Sequence, residues 1–408
     1  MYKELNRLMV ESGIWIGNRR ETHGFLLSPE PYVISKGHKA QLESIALALN
    51  ICLRGLSRIF AIAADPILGS PRWWRNLGNL MKIQVPDYFN SVMGMHPDAI
   101  PFLSKIDLVE DTEGKLWIVE IDAGNPRALG FSHFFTSLIP NPRVSGQPFP
   151  GVLNPMLQVV RNQDGKLTCL LSERERWYLP WVEVLIQALK NQGLEEMEVV
   201  LERDFVFENK TLLLHMPLVM NKSLVRNLFE RYKSGGLKFL MPPKPFLGSK
   251  GLLAILWNLH EDPILEGVLR SQIPEEHLKL LREHIPKTGF LYPGQGPPVL
   301  GPVVLKSLVS SGMHGVYFSD DEKYAHAYGE HERKKGSAPT AVLQTLVNVK
   351  KVKFNHFDET GHIIQDERYV RFAAHVGDGK VADVSITART DRAVHGAKDA
   401  ILTGCVVS

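Results

Sequence analysis

The clearest pattern in the chain is an alternation of apolar and polar residues between positions 105 and 122. Residues 105–109 (KIDLV) and 116–122 (LWIVEID) each alternate with a period of two, which is typical of half-buried β-strands. Glu113 and Gly114 lie between the two runs and form a turn signal. The pattern therefore predicts a β-hairpin in the first third of the chain.

Three carboxylates fall on one face of this hairpin. Glu120 and Asp122 are two positions apart and share a face, and strand pairing brings Asp107 to it, with Asn125 just beyond. Acidic groups gathered in a sheet interior repel one another, and a Mg²⁺ ion carrying a nucleotide would remove that cost. Lys105 places a cation where a phosphate would lie. A surface hairpin with solvated acids is the alternative that composition leaves open.

The first hundred residues are predicted to be mainly helical. Residues 40–64 form the longest apolar run with helical character, and several prolines divide the segment that follows. Arg54 and Arg58 interrupt the most apolar part, so we expect a buried helix there and no membrane span. The N-terminal residues carry acids and no apolar core of a signal peptide.

A second unit, residues 166–245, has the pattern of an α/β domain. Strands are predicted at 166–171, 197–201 and 211–216, and helices at 178–192 and 222–232. Alternating strands and helices favour a parallel sheet. The unit has no GxGxxG motif, which argues against a dinucleotide cofactor. The proline-rich residues at its end form a rigid linker.

Composition excludes several classes of function. The chain has 408 residues and a net charge of +3, which is too small for a nucleic-acid-binding stripe. No HExxH or Cys/His metal motif occurs, and the three cysteines are too far apart for a zinc site. Their odd number argues against a disulfide framework, so we expect a reducing, cytoplasmic compartment. The length favours two or three structural units.

The chain after residue 245 holds further lysines at the edges of predicted elements. Residues 246–259 predict a turn, a serine cap and an apolar helix with Lys250 in its first turn, where the helix dipole disfavours a cation. Residues 302–306 predict a strand that ends in Lys306, followed by a loop of small residues and a second strand near 316–318. Such a loop can cover a phosphate with its backbone N–H groups, although a plain hairpin explains the glycines equally well.

Three more strands are predicted towards the end. Residues 341–349 are apolar with one internal Gln344, and residues 367–376 and 380–389 flank the turn signal Asp378-Gly379. Arg371 and Arg389 are the cations that we expect opposite the carboxylates of the first hairpin.

The segment after that hairpin, residues 127–151, is rich in Gly, Pro and Phe and is predicted to be an irregular loop. Loops beside a fixed site commonly contact substrate. Arg127, His133 and Arg143 are therefore candidates for binding a substrate carboxylate, with simple surface positions as the alternative.

The hairpin motif resembles the metal-binding hairpin of the ATP-grasp ligases. A basic residue, one further residue and Asp107 are followed about a dozen positions later by Glu120-x-Asp122. The early position of this motif is similar to the circularly permuted branch, which includes the synthetase domain of glutathionylspermidine synthetase. Asp122 stands where the family usually has Asn, and Lys105 stands where it usually has Arg. Aspartate still ligates a metal, whereas lysine lacks the bidentate grip of arginine on phosphate.

The resemblance implies an architecture. The fold class is α/β (α+β), an ATP-grasp fold in circularly permuted order with a small Rossmann-like domain inserted mid-chain. The implied domains are residues 1–160, an N-terminal helical region plus the metal-binding hairpin; residues 161–245, the Rossmann-like domain; and residues 246–408, the nucleotide-binding lid and the remainder of the core.

The resemblance also implies ligands and residue roles. ATP and Mg²⁺ are the implied cofactors, with Asp107, Glu120 and Asp122 as metal ligands and Lys105 and Arg371 as catalytic cations. The nucleotide-binding residues that it implies are Lys250, Lys306, Ser310, Ser311, Gly312, Met313, His314, Gly315, Gln344 and Leu346.

The function implied is ATP-dependent carboxylate–amine ligation through an acyl phosphate. This chemistry needs no side-chain nucleophile, and the sequence has no GxSxG or Cys/His signature. The expected partners are a small acid and a small amine, such as an amino acid or peptide, with no nucleic acid and no membrane. The alternatives are a small-molecule kinase or phosphotransferase, a nucleotide-binding relative without catalysis, and an unrelated α/β enzyme with an accidental acidic hairpin. The identities of the acid and amine and the oligomeric state stay open.

Overall fold

The computed structural model describes residues 1–12, 25–65, 67–68, 72–83, 85–124, 126, 129–139, 146–161, 166–207, 211–213, 220–258, 261–308, 315–358, 360–395 and 399–408. The α-helices in these ranges are α1 (Tyr2–Glu11), α2 (Lys36–Ala64), α3 (Arg72–Lys82), α4 (Phe131–Leu138), α5 (Leu153–Arg161), α6 (Leu179–Lys190), α7 (Lys222–Lys233), α8 (Gly251–Trp257), α9 (Pro263–Gln272), α10 (Glu275–His284) and α11 (Tyr324–Glu332). Short 3₁₀ helices span Asp87–Ser91, Glu173–Tyr178 and Pro245–Gly248.

The strands in the same ranges are β1 (Leu26–Leu27), β2 (Tyr32–Ile34), β3 (Ser104–Glu110), β4 (Leu116–Asp122), β5 (Gln147–Pro148), β6 (Leu167–Leu171), β7 (Met197–Leu201), β8 (Thr211–Leu213), β9 (Leu237–Phe239), β10 (Thr288–Leu291), β11 (Val303–Ser307), β12 (Val316–Phe318), β13 (Ala341–Thr345), β14 (Lys351–Phe357), β15 (Ile363–Gly377), β16 (Lys380–Arg389), β17 (Ile401–Thr403) and β18 (Cys405–Val407).

The largest sheet contains the predicted hairpin. Its strand order is β1-β17-β16-β15-β3-β4, and β14 pairs with the first part of β15. Strand β15 lies antiparallel to β3, so that Arg371 is opposite Val109 and Ala373 is opposite Asp107. The predicted Asp378-Gly379 turn joins β15 to β16. The sheet therefore brings the early hairpin beside the late arginine-bearing strand.

The long apolar helix belongs to the core. Helix α2 begins after Ser35, whose Oγ accepts the backbone N–H of His38 at 3.1 Å. Many of its apolar side chains, including Ile45, Leu49 and Phe60, are fully buried, and it packs against α3, α9, α10 and the large sheet. Among the described helices, α2 is the one long and apolar enough to cross a membrane, and 61% of its most apolar window is buried within the fold. This packing agrees with the prediction of a buried helix.

The middle of the chain forms a separate parallel sheet. Its order is β7-β6-β8-β9, and every pairing in it is parallel. Helices α6 and α7 pack against it. The predicted strands and helices of residues 166–245 are confirmed here, with the last strand described only at Thr211–Leu213.

A small antiparallel sheet, β10-β13-β11-β12, faces the large one. One of its faces packs with α11 into a small apolar core that includes Leu305 and Leu343. Lys306 and Gln344 alternate with these residues and lie on the opposite face. The period-two pattern thus gives this sheet an apolar outer face and a face with buried polar groups.

Two predictions about elements need correction, and strand β10 is not predicted from the sequence. The segment 127–151 contains helix α4 as well as irregular backbone, and residues 288–291 form strand β10. The strand predicted for 341–349 ends at Thr345. Strands β1 and β2 pair in parallel with β17 and β18, a contact that no local pattern indicates.

Candidate functional site

A cavity that is partly open to solvent lies between the large sheet and the small sheet. Much of its wall is apolar and is formed by Val109, Val119, Val304, Val316, Phe318, Leu346, Val347, Val349 and Val394. Its charged and amide-bearing lining consists of Asp107, Glu120, Lys306, Gln344, Arg371 and Arg392. Apolar walls with a few placed polar groups suit a ligand that has a flat apolar part and a charged part.

The acidic hairpin contributes one face to this site. Lys105 is opposite Asp122 and Asp107 is opposite Glu120 across β3 and β4. The prediction that these four charged residues share a face is therefore confirmed. The register shifts beside Asp107, and Val119 is the extra residue of a β-bulge in β4.

Each carboxylate of the hairpin lies close to a cation. Lys105 Nζ is 3.7 Å from Asp107 Oδ1 and 4.0 Å from Asp122 Oδ2, and Arg371 donates to Asp107 Oδ2 at 3.1 Å. Burial favours the neutral form of Asp107, but Arg371 and Lys105 outweigh it and lower the pKa of this carboxyl. Burial likewise disfavours charge on Lys105, and Asp107 with Asp122 raises its pKa above the ordinary value.

Lys250 approaches the same face from another element. It directly precedes α8, and its Nζ lies 3.4 Å from Glu120 Oε1. Ser249 Oγ accepts the backbone N–H of Gly251 at 3.2 Å, although the residue that directly precedes the helix is Lys250 and not the predicted serine. The lysine is buried at a helix N-terminus, a position that the dipole makes unfavourable for a cation. Glu120 compensates for that placement.

Lys306 connects the two sheets across the cavity. Its ammonium donates to Val119 O of the bulge at 2.7 Å and to Gln344 Oε1 at 2.6 Å. The bulge matters here because its unpaired backbone can accept a bond from outside the ladder. Lys306 is only 7% exposed, and burial lowers its pKa from 10.5 to about 8. A cation is therefore held in a place where water contributes little to its solvation.

Two buried polar atoms at the site have no hydrogen-bond partner among the described residues. They are Asp107 Oδ1 and Arg371 Nε. Arg371 also donates to Thr387 Oγ at 3.2 Å, which fixes its guanidinium beside the aspartate. A carboxylate oxygen with unused lone pairs fits a metal ligand, and an unused guanidinium N–H fits an anion.

Among the residues that the structure describes, no group of three or more His, Cys, Asp and Glu side chains is arranged to hold a metal ion. Asp107 and Asp122 both lie near Lys105, and Glu120 lies near Lys250. The roles of the three acids as magnesium ligands stay predictions.

Several predicted nucleotide-binding residues are placed differently or lie outside the described residues. Ser310, Ser311, Gly312, Met313 and His314 are among the latter, as are Asn125, Arg127 and Arg143. Gly315 is described next to β12, with φ +75°, and its carbonyl accepts the N–H of Ser307. Leu346 lines the cavity, but its backbone N–H donates to Pro302 O at 2.9 Å. His133 lies in α4, and burial lowers its pKa.

The expectation for Arg389 is wrong. Its guanidinium pairs with Asp399 at 3.1 Å and donates to Ala393 O at 2.7 Å, because it stands at the end of β16 opposite Tyr369. Arg392 is the later cation that reaches the cavity.

Residues that sequence reasoning missed are Thr288, Thr387 and Arg392. Thr288 and Thr387 are connected to the site through the residues opposite them, Gln344 and Arg371. Finding them would have required the register of the strand pairs.

Comparisons with known proteins give a fold and no closer relationship. Neither a scan against protein-family models nor a search of curated proteins finds a match. Among solved structures, a glutathione synthetase-like effector, GSS30, from Globodera pallida in its apo form matches with a TM-score of 0.56 at 11% identity, covering 100% of this chain and 98% of that one. The two chains share a mixed α/β fold over their whole length.

Two further solved structures score lower. A candidate gamma-glutamylcysteine synthetase from Methylobacillus flagellatus matches with a TM-score of 0.40 at 11% identity, covering 84% of this chain and 85% of that one. A RimK domain ATP-grasp protein from Sphaerobacter thermophilus matches with a TM-score of 0.25 at 15% identity, covering 59% and 90%. Scores at this level do not establish a shared fold.

Proposed function

We propose that the protein is an ATP-dependent carboxylate–amine ligase that forms an amide or peptide bond through an acyl phosphate. The observation that supports this most is the charge arrangement at the cavity. Lys105, Lys250, Lys306 and Arg371 meet Asp107, Glu120 and Asp122 beside apolar walls. The cations outnumber the acids by one, which favours binding of a polyanion.

The order of the parts along the chain supports the permuted ATP-grasp arrangement. The acidic hairpin comes first, the parallel sheet follows, and the small sheet and the arginine-bearing strand come last. We propose the domain ranges 1–160, 161–245 and 246–408 on this basis, with the middle range as the Rossmann-like insert. Ranges one and three together build the large sheet, because β3 and β4 join β15 and β16 there.

In the proposed reaction the residues align groups and neutralise charge. A substrate carboxylate oxygen attacks the γ-phosphorus of ATP, the bond to ADP breaks, and an amine then displaces phosphate from the acyl carbon and releases a proton. Lys105 and Arg371 would stabilise the oxygens of the transferring group, and Lys250 and Lys306 would hold the phosphate tail.

The acids would hold the metal in the same proposal. When ATP binds, the lysines and the arginine would pair with phosphate oxygens. Asp107, Glu120 and Asp122 would then bind Mg²⁺. Magnesium would supply charge neutralisation of the phosphates. Asp107 Oδ1, which has no hydrogen-bond partner among the described residues, supports this assignment.

The test is release of ADP from ATP and magnesium with panels of small acids and amines, with mass spectrometry of the product. Hydroxylamine added without amine traps an acyl phosphate as a hydroxamate. A hydroxamate separates a ligase from a kinase that phosphorylates a group other than a carboxylate. We expect Glu120→Gln to lower turnover by about 100-fold or more, because it removes a charge at the phosphoryl site. Asp107→Asn should do the same.

Glu113→Gln, in the turn of the same hairpin and away from the cavity, is the matched control and should keep full activity. Thermal unfolding of each variant shows whether the fold survives. Full turnover by Glu120→Gln, with magnesium still required, would contradict the proposal.

A nucleotide-binding protein without catalysis is the second candidate. The observation that favours it is the lack, among the described residues, of a preformed group of three metal-binding side chains. Calorimetric binding of ATP with no ADP release across the substrate panels would support it.

A further inference from the structure

A line of hydrogen bonds crosses three strands on the cavity-facing side of the small sheet. Lys306 Nζ donates to Gln344 Oε1 at 2.6 Å, and Gln344 Nε2 donates to Thr288 Oγ at 3.0 Å. Thr288 is directly opposite Gln344 in the register of β10 and β13. All three side chains are buried, and Thr288 is completely so.

The direction of these bonds is determined by the far end of the line. The hydroxyl of Thr288 donates its single hydrogen to Pro286 O at 2.6 Å, so its oxygen is left to accept. The Nε2 of Gln344 therefore turns towards Thr288, and the Oε1 turns towards Lys306. An amide in this orientation gives the buried ammonium an acceptor on the small sheet, to match Val119 O on the large sheet.

Thr288 is outside the cavity lining, whereas Gln344 and Lys306 are part of it. We propose that Thr288 is a positioning residue for Lys306, acting through the amide of Gln344, and that it sets the affinity of the site for nucleotide phosphate. This inference rests on the proposed function. Without an acceptor at residue 288, the buried Nε2 of Gln344 lacks a partner and the amide shifts to find one. Lys306 then loses one of the two acceptors that hold it.

The test is a double-mutant cycle read by calorimetric ATP binding. Thr288→Val keeps the shape of the side chain and removes the acceptor, and we expect it to weaken ATP binding by about 10-fold. Thr288→Ser keeps the hydroxyl and should stay within about 2-fold of the wild type. In a Lys306→Met background, Thr288→Val should change the affinity by less than about 2-fold, because the group that it positions is gone.

The matched control is Thr340→Val. The hydroxyl of Thr340, next to β13 of the same sheet, is buried and has no hydrogen-bond partner among the described residues. Its removal should leave ATP affinity unchanged. If Thr288→Val does not fold, Thr288→Ala takes its place in the same cycle.

An equal loss of affinity from Thr288→Val in both backgrounds would overturn the inference, since a purely structural effect is additive. That result leaves the ligase proposal intact when the wild type still binds ATP and releases ADP. A wild type that binds no ATP would overturn both.

Discussion

Lys306 keeps its ammonium in a space that is almost closed to solvent. Its pKa in the fold, about 8, is below its ordinary value of 10.5 because burial disfavours the charge. The protonated lysine therefore destabilises the fold below pH 8, and this penalty disappears as the pH rises from about 8 to 10.5. The difference corresponds to about 3 kcal/mol.

We expect this penalty to appear in a comparison with Lys306→Met. The free energy of unfolding of the wild type should rise relative to the variant between pH 8 and 10.5, by up to about 3 kcal/mol. Urea unfolding at steps from pH 7 to 10.5 measures the difference. Lys353→Met, at an exposed strand position, controls for the loss of a lysine. A difference that does not change with pH would show that Lys306 keeps its ordinary titration.

At the level of single residues, the sequence predicted which acids share a face of the hairpin. It did not predict the bulge that interrupts the strand beside them. Alternation placed Glu120 and Asp122 together correctly. The bulge at Val119 could not be foreseen, because residues 116–119 are all apolar and the run does not show which of them is the extra residue. Its free carbonyl, which Lys306 uses, depends on pairing with β3 and therefore on tertiary structure.

Helix α4 takes its N-terminal cap from a distant strand. Gly130 precedes the helix and has no side chain to cap it. Asp383 of β16 accepts hydrogen bonds from the backbone N–H groups of Ser132 and His133 and from the Ser132 hydroxyl. A local capping signal is therefore absent from the sequence, which explains why segment 127–151 was predicted to be irregular throughout.

The contribution of this cap to the free energy of unfolding depends on pH. Burial raises the pKa of Asp383 from 3.8 to about 7, so its contribution to stability is full at low pH and is lost as the pH rises through 7. We expect Asp383→Asn, which keeps an acceptor without charge, to gain stability relative to the wild type as the pH rises from 4 to 8. Urea unfolding at pH 5 and pH 8 tests this.

Asp378→Asn, in the exposed turn before β16, is the control for that comparison. Equal destabilisation by Asp383→Asn at both pH values would show that α4 requires the ionised carboxylate.

Across the whole molecule, two distant loops meet at the mouth of the cavity. Arg392 donates to Asp320 at 2.6 Å and to Asp321 at 3.0 Å, and its guanidinium lies 4.3 Å from the ring centre of Phe318. Phe318 and Arg392 both line the cavity, so this cluster joins the small sheet to the segment after β16. Its charged groups are partly exposed and are therefore weakened by salt.

We expect the double variant Asp320→Asn, Asp321→Asn to release ATP about 2- to 5-fold faster than the wild type. Stopped-flow measurement of nucleotide dissociation at low and high salt tests this, and the wild type should approach the variant at high salt. Glu322→Gln, the neighbouring acid, is the control. Equal dissociation rates for wild type and double variant at low salt would contradict the expectation.

At the scale of the whole molecule, the sequence predicted the individual strands and sheets better than the contacts between distant segments. The parallel sheet, the hairpin and the placement of Arg371 opposite the hairpin carboxylates follow from patterns and from the resemblance, and the structure confirms each of them, with Asp107 as the partner of Arg371. The error at Arg389 and the parallel pairing of β1 with β17 have a common cause. Both depend on how segments far apart in sequence approach one another, which periodicity does not encode.

The pairing of β3 with β15 has a consequence for synthesis of the protein. Asp107 and Arg371 are 264 positions apart, and a ribosome adds about 5–20 residues per second, so the aspartate is incorporated roughly 13–53 s before its arginine. For that interval the nascent hairpin has an open strand edge and an acidic face without this counter-charge. A newly made chain is thus exposed to misassociation until β15 has been made, and the edge of β3 is the surface that we expect a chaperone to shield.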